Sequence, residues 1–304
     1  MMVQGHERAV APLPGDGVCA HSMKRFDTAA FLLFAFGLIA LTGCEDSPWH
    51  IDPLDTNARD GGGQPLNYST LMRIGAAAHA GGDLATAVGL YRRASAVDSH
   101  AAAPLVASGN TLLEMGKIDE AIVAYNSALA REPHDPEALR GLARGYLMTG
   151  KPELAGQPLA VAFEATPDDP KLLLLIGVAD DFVGQHEEAQ ARYRRGLELA
   201  PGDSGLSVDL ALSLALSGNY PEAINVLRPV AQMTTAGPRE RQTLALIYGL
   251  QGNSRAAQQV ARVDLDPASV QRNLVYYDNL RRLSPEARQR AIQSLTMQGS
   301  PHQF

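Results

Sequence analysis

Glycine recurs every 34 residues along this chain, at Gly82, Gly116, Gly150, Gly184, Gly218 and Gly252. Five residues after each stands an alanine (Ala87, Ala121, Ala155, Ala189, Ala223, Ala257), and seven before each a small residue (Gly75, Gly109, Ala143, Gly177, Ala211, Ala245). Pro133, Pro167 and Pro201 keep the same step. Three positions held in phase over six copies define a repeat architecture. Each copy is then one small unit that can bury its apolar face only against its neighbours. The copies run 68–101, 102–135, 136–169, 170–203, 204–237 and 238–271. With 45% hydrophobic but only 6% aromatic residues, and alanine and leucine outweighing the β-branched types, the units are expected to be helical and the fold all-α.

Within a copy, the glycine fits the end of a first helix, where it takes a left-handed conformation without a Cβ clash. A large residue recurs in the second helix: Tyr91, Tyr125 and Tyr193, replaced by Leu159 and Leu227. The small residues are expected to let the two helix backbones approach closely. Asp135-Pro136 and Asp169-Pro170 place a capping carboxylate before a first-turn proline. The sixth copy departs most, with Ala261 at the large position and Asp264 where a small residue belongs. Beyond it the phase is lost, since Glu286 stands where a seventh glycine would fall. Val270, Leu274 and Tyr277 share a helical face with Leu280 at its edge, and Ser284-Pro285-Glu286 starts another helix. Residues 272–304 are read as helices covering the end of the last repeat, with a tail.

The pattern resembles the tetratricopeptide repeat (TPR) family. That resemblance implies a right-handed superhelix, an α-solenoid of about six helix pairs with C-terminal capping helices. It also implies a concave groove lined by positions 2, 5, 9, 12 and 13 of each first helix. In the last three repeats this selects Leu174, Val178, Phe182, Val208, Leu212, Leu216, Leu246 and Leu250. An apolar wall of this kind suits an amphipathic helix of a protein partner. The carboxylate clamp of chaperone-binding relatives is incomplete, with Asn110, Arg140 and Arg144 as its only candidates. The same apolar residues could instead be covered by the C-terminal helices or by a second protomer, and a one-residue error in helix phase would change the set.

Ahead of the repeats, residues 29–41 read AAFLLFAFGLIAL, thirteen residues without a polar side chain. As a helix they rise about 20 Å, short of a hydrocarbon core of about 30 Å, and have the length of a signal-peptide apolar region. Lys24 and Arg25 after Met23 supply the basic start, so residues 1–22 read as an upstream mis-start and 23–43 as a signal peptide. Leu41-Thr42-Gly43-Cys44 resembles a bacterial lipobox, with the Cys44 thiol as the nucleophile that takes the diacylglyceryl group. Residues 44–67, rich in proline, glycine and acidic side chains, are read as a lipidated cysteine and flexible tether. Glu45 in place of an aspartate favours the outer over the inner membrane of a Gram-negative envelope, facing the periplasm.

A net charge of −7 provides no field for nucleic acid. Two cysteines make neither a disulfide framework nor a four-ligand zinc site. His186-Glu187-Glu188 has Gln190 where a zinc protease helix needs its second histidine, and the glycine runs at 61–63 and 81–82 lack the lysine of a phosphate loop. The expectation is a protein that is not an enzyme and takes no cofactor or metal.

A lipobox, a short acidic tether and a TPR array together resemble the TPR lipoproteins of the tight-adherence (Flp, or Tad) pilus system. The tail DLDPASVQRNLVYYDNLRRLSPEARQRAI adds to that likeness. The resemblance implies a pilotin-like assembly factor that holds a secretin or another pilus component at the membrane. The alternative is an envelope scaffold for peptidoglycan enzymes or outer-membrane protein assembly.

Overall fold

Residues 66–297 are described by a computed structural model; the lipobox, Cys44 and most of the tether lie outside them. The described residues form helices without a strand: α1 (Tyr68–Ala80), α2 (Leu84–Val97), α3 (Ala103–Glu114), α4 (Ile118–Leu129), α5 (Pro136–Met148), α6 (Pro152–Ala165) and α7 (Pro170–Phe182). They continue as α8 (His186–Leu199), α9 (Ser204–Leu216), α10 (Tyr220–Ala231), α11 (Pro238–Gln251), α12 (Ser254–Ala261), α13 (Pro267–Arg282) and α14 (Pro285–Met297). α1 to α12 are six antiparallel pairs, and the whole is an all-α solenoid.

The local causes repeat with the sequence. Asp83, Asp135, Asp169, Asp203 and Asp266 each accept a hydrogen bond from a first-turn amide of the helix that follows. At each pair's turn the periodic glycine has φ between 68° and 89°. The amide of the next residue then reaches back five positions to the first helix, as from Asp83 to Ala78 O at 2.9 Å and Gln185 to Asp180 O at 2.9 Å. That closure satisfies carbonyls a helix end leaves open.

The small residue of the first helix has a different task from the one expected. It makes room for a ring rather than for a backbone. A Cβ on Gly75, Gly109 or Gly177 would lie 2.7 Å, 2.6 Å or 2.5 Å from the ring of Tyr91, Tyr125 or Tyr193 in the same pair. Where the second helix carries Leu159, Leu227 or Ala261 instead, the first helix carries Ala143, Ala211 or Ala245. The first five pairs obey this exchange of volume across sixteen residues, as close packing requires, while the sixth sets Ala245 against Ala261.

Each pair stacks on the next, and consecutive odd-numbered helices from α3 to α11 touch one another, forming the inner layer. α13 then packs on α11 and α12 as a further inner helix. Tyr277 is 2% exposed and its side chain comes so close to Gly249 that a Cβ there would meet it at 2.4 Å. The last helix does more than extend this cap. α14 turns back across the inner layer and contacts α9.

Candidate functional site: the inner face of repeats 2 to 5

The inner layer encloses two adjoining hollows. One, of about 220 Å³, is apolar: Leu147 and Met148 of α5, Leu175, Val178 and Phe182 of α7, and Leu212 and Leu216 of α9, closed on one side by Ile292 and Gln293 of α14. The other opens towards the second repeat and is polar, lined by Asn110, Glu114, Glu137, Arg140 and Lys171 with Leu174. Arg144, Leu175, Asp209 and Arg239 border both, so the hollows form one continuous groove.

Of the eight residues expected to form the groove wall, Val178, Phe182, Leu212 and Leu216 line the apolar hollow and Leu174 the polar one. The other three do not face it. Val208, Leu246 and Leu250 are each 2% exposed and belong to the core that joins α9, α10, α11 and α13. Leu246 and Leu250 share that cluster with Tyr277 and Leu280, so α13 covers the inner side of the sixth pair. The first helix of the sixth pair thus loses its wall positions to the contact with α13, which family position counting does not register. Leu175 and Asp209, at position 6 of their repeats, take part instead.

The groove floor carries a buried polar network centred on Asp181. Its Oδ1 faces His186 Nδ1 at 2.6 Å and accepts from Ser213 Oγ at 2.7 Å, while Oδ2 accepts from Tyr193 OH at 2.9 Å. Burial, with Asp181 adding to it, raises the Tyr193 hydroxyl well above its ordinary value. The network joins α7, the turn after it, α8 and α9. It holds an aspartate, a histidine and a serine, but the serine bonds the aspartate, leaving no base positioned on a nucleophile. No group of three metal-ligating side chains occurs among the described residues. Nearby, burial pushes Asp209 up to about 6; Arg239, paired with it at 2.9 Å, opposes the rise and Asp181 reinforces it.

The three clamp candidates are differently employed. Asn110 donates to Glu137 at 2.7 Å and accepts from Tyr125 OH at 2.7 Å, and Arg140 binds Asp169 at 2.7 Å. Arg144 is exposed on the lip between the hollows. What position counting could not find is the contribution of α14. Ile292, 1% exposed, sits in the same core cluster as Leu214 of α9, and Gln289 donates to the main-chain carbonyl of Asp181 at 2.7 Å across 108 residues of sequence.

Two family models described as tetratricopeptide repeat match residues 112–177 and 174–237. The repeats over residues 112–237 are tetratricopeptide repeats. Among curated proteins, similarity extends over 146 residues at 29% identity to anaphase-promoting complex subunit 7 of Arabidopsis thaliana, covering 48% of this chain and 26% of that one. It extends over 230 residues at 25% identity to a TPR repeat-containing protein of Treponema pallidum, covering 74% of this chain and 27% of that one. The chain thus spans about a quarter of the length of these relatives.

Solved structures share the fold. A tetratricopeptide repeat protein from Parabacteroides merdae superposes with a TM-score of 0.59 at 18% identity, over 70% of this chain and 84% of that one. PilW, described as a type IV pilus biogenesis factor, gives 0.58 at 17% over 64% and 90%; Pseudomonas aeruginosa PilF gives 0.54 at 17% over 64% and 88%. TPR proteins bind protein partners, and a groove of this composition has the means to do so: apolar area for affinity and a polar, charged lip for orientation.

Proposed function

We propose that this chain is a lipid-anchored, pilotin-like assembly factor of a Flp/Tad-type pilus. In this reading Cys44 holds it in the outer membrane facing the periplasm, residues 45–67 act as a tether, and the repeats bind a secretin or another pilus component. The observation that carries the binding role is the apolar hollow walled by Val178, Phe182, Leu212 and Leu216 on the inner layer. The pilus assignment is supported by the lipobox, by the tail sequence and by a fold shared with PilW and PilF. The partner enters as an amphipathic helix or extended segment. Catalysis, cofactor, metal and nucleic acid have no part in this function.

The decisive experiment is a crosslinked pull-down from envelopes using the mature chain. A secretin is expected to copurify with the wild type, and to be lost with Leu212→Asp plus Leu216→Asp while circular dichroism stays helical. Capture that is indifferent to these two substitutions would remove the groove from the proposal. A fractionation pattern unchanged by Cys44→Ala would remove the anchor.

A further inference from the structure

α14 occupies the site in a way that identifies what could replace it. Of its described side chains only Ile292 is fully buried; Ala287, Arg288, Gln289, Ala291 and Gln293 are half-buried, and Pro285, Glu286, Arg290 and Ser294 are exposed. Gln289 and Gln293 donate to one acceptor, the Asp181 carbonyl near the C-terminal end of α7, at 2.7 and 3.3 Å. That carbonyl already accepts the Gly184 amide of the turn at 3.1 Å, and the side-chain amides offered from α14 share its remaining acceptor capacity. Arg288 adds a longer contact to Tyr220 OH at 3.3 Å. This is how a helix laid in a groove binds, with an anchor and its polar flank at spacings of three and four. It is also a weak version of that mode, because one isoleucine contributes about 1.5–3 kcal/mol.

The hollow beside Ile292 is not filled. Its 220 Å³ exceeds the roughly 150 Å³ that accommodates a benzene ring in an apolar cavity. A helix with a longer side chain at the anchor would bury more apolar surface than α14 does while keeping the same amide contacts.

We propose that α14 is an exchangeable occupant of the groove. The entering partner is an amphipathic helix with an aromatic anchor, amide side chains three residues before and one residue after it, and it displaces α14. The inference rests on the reading that the groove of repeats 3 to 5 binds protein. Tethering holds α14 at a millimolar effective concentration, so a partner meets a closed groove and gains access only by out-competing it.

The probe is a synthetic peptide of residues 284–297 carrying Ile292→Phe. It is titrated into the full chain and into the full-length Ile292→Asp variant, whose own helix no longer competes. Binding to the variant is expected to be tenfold or more tighter, on the order set by the effective concentration. In the wild type, saturating peptide should speed amide exchange over residues 285–297. Equal affinity for the two proteins, no binding to either, or unchanged exchange would overturn the proposal. Should Ile292→Asp lose helical content, Gln289→Ala with Gln293→Ala takes its place, since neither amide is part of the core, and the same inequality is required. A peptide that binds with no envelope partner depending on Leu212 would sink the proposed function alone. Partner capture that needs Leu212 but ignores the α14 variants would sink only this inference.

Discussion

The polar hollow beside repeats 2 and 3 and the apolar hollow of repeats 4 and 5 are built on the same skeleton and differ only in what stands on it. In both, a glycine of the inner helix faces a tyrosine of the outer one: Gly109 with Tyr125, Gly177 with Tyr193. The tyrosine hydroxyl in each case reaches a polar group of the inner helix, Asn110 in one and Asp181 in the other, at 2.7 and 2.9 Å. The wall then diverges. Repeats 2 and 3 present Asn110, Glu137, Arg140 and Arg144, whereas repeats 4 and 5 present Val178, Phe182, Leu212 and Leu216. Only the apolar stretch is covered, by α14. A repeat fold thus separates stability, carried by positions that alternate in volume, from recognition, carried by wall positions free to vary.

The shared skeleton makes the largest prediction. Gly109→Ala and Gly177→Ala should each destabilise by about 1–3 kcal/mol, because the new Cβ must push a packed ring aside. Urea or thermal unfolding should show similar losses for both; a loss confined to one would mean that the two halves are not built alike. Pairing Gly177→Ala with Tyr193→Leu should recover part of the cost, since Ala143 with Leu159 is already a natural combination.

Charge in the wall comes next, at the border the two hollows share. Asp209 has a folded value of about 6 against an ordinary 3.8. Between about pH 4 and 6 the folded chain therefore keeps a proton that the unfolded chain has released, so this group's contribution to stability falls as pH rises through that window. Asp209→Asn should be more stable than wild type at pH 7 by on the order of 1–2 kcal/mol, the loss of the Arg239 pair limiting the gain. The advantage should disappear by pH 4. Denaturation at the two pH values checks it, and a benefit independent of pH would refute the assignment.

A smaller effect belongs to the turns. Gly218, with φ of 85°, has no atom within 4 Å of a hypothetical Cβ, so Gly218→Ala tests conformation without a clash. A loss of about 1 kcal/mol is expected in thermal unfolding. The smallest effect lies on the outer layer. Arg92–Glu120 and Arg194–Glu222 join the same positions of successive repeats in the two halves, but all four side chains are 42–58% exposed. Arg92→Ala and Arg194→Ala should each change stability by less than about 1 kcal/mol, and 0.5 M salt should erase the difference.

Much of this was legible without coordinates, for local reasons. A left-handed turn needs glycine and a helix start needs a capping oxygen, and each leaves its mark at a fixed spacing; the small residue sixteen before each tyrosine was visible too, but that it makes room for the ring was not. Leu212 and Leu216 could be chosen from the groove positions that the family resemblance implies, because their surroundings are those of any repeat. Val208, Leu246 and Leu250 could not be told from them, since being wall or core depends on whether another helix arrives. For the sixth pair that helix is α13. The sequence by itself determined the pairing of helices, their turns and the order of stacking, all set by interactions spanning a few tens of residues. Only the tertiary structure decided that Ile292 and Gln289 come back to the α7–α9 groove. That return is fixed by one buried side chain and by a carbonyl 108 residues away, a contact with no period to announce it.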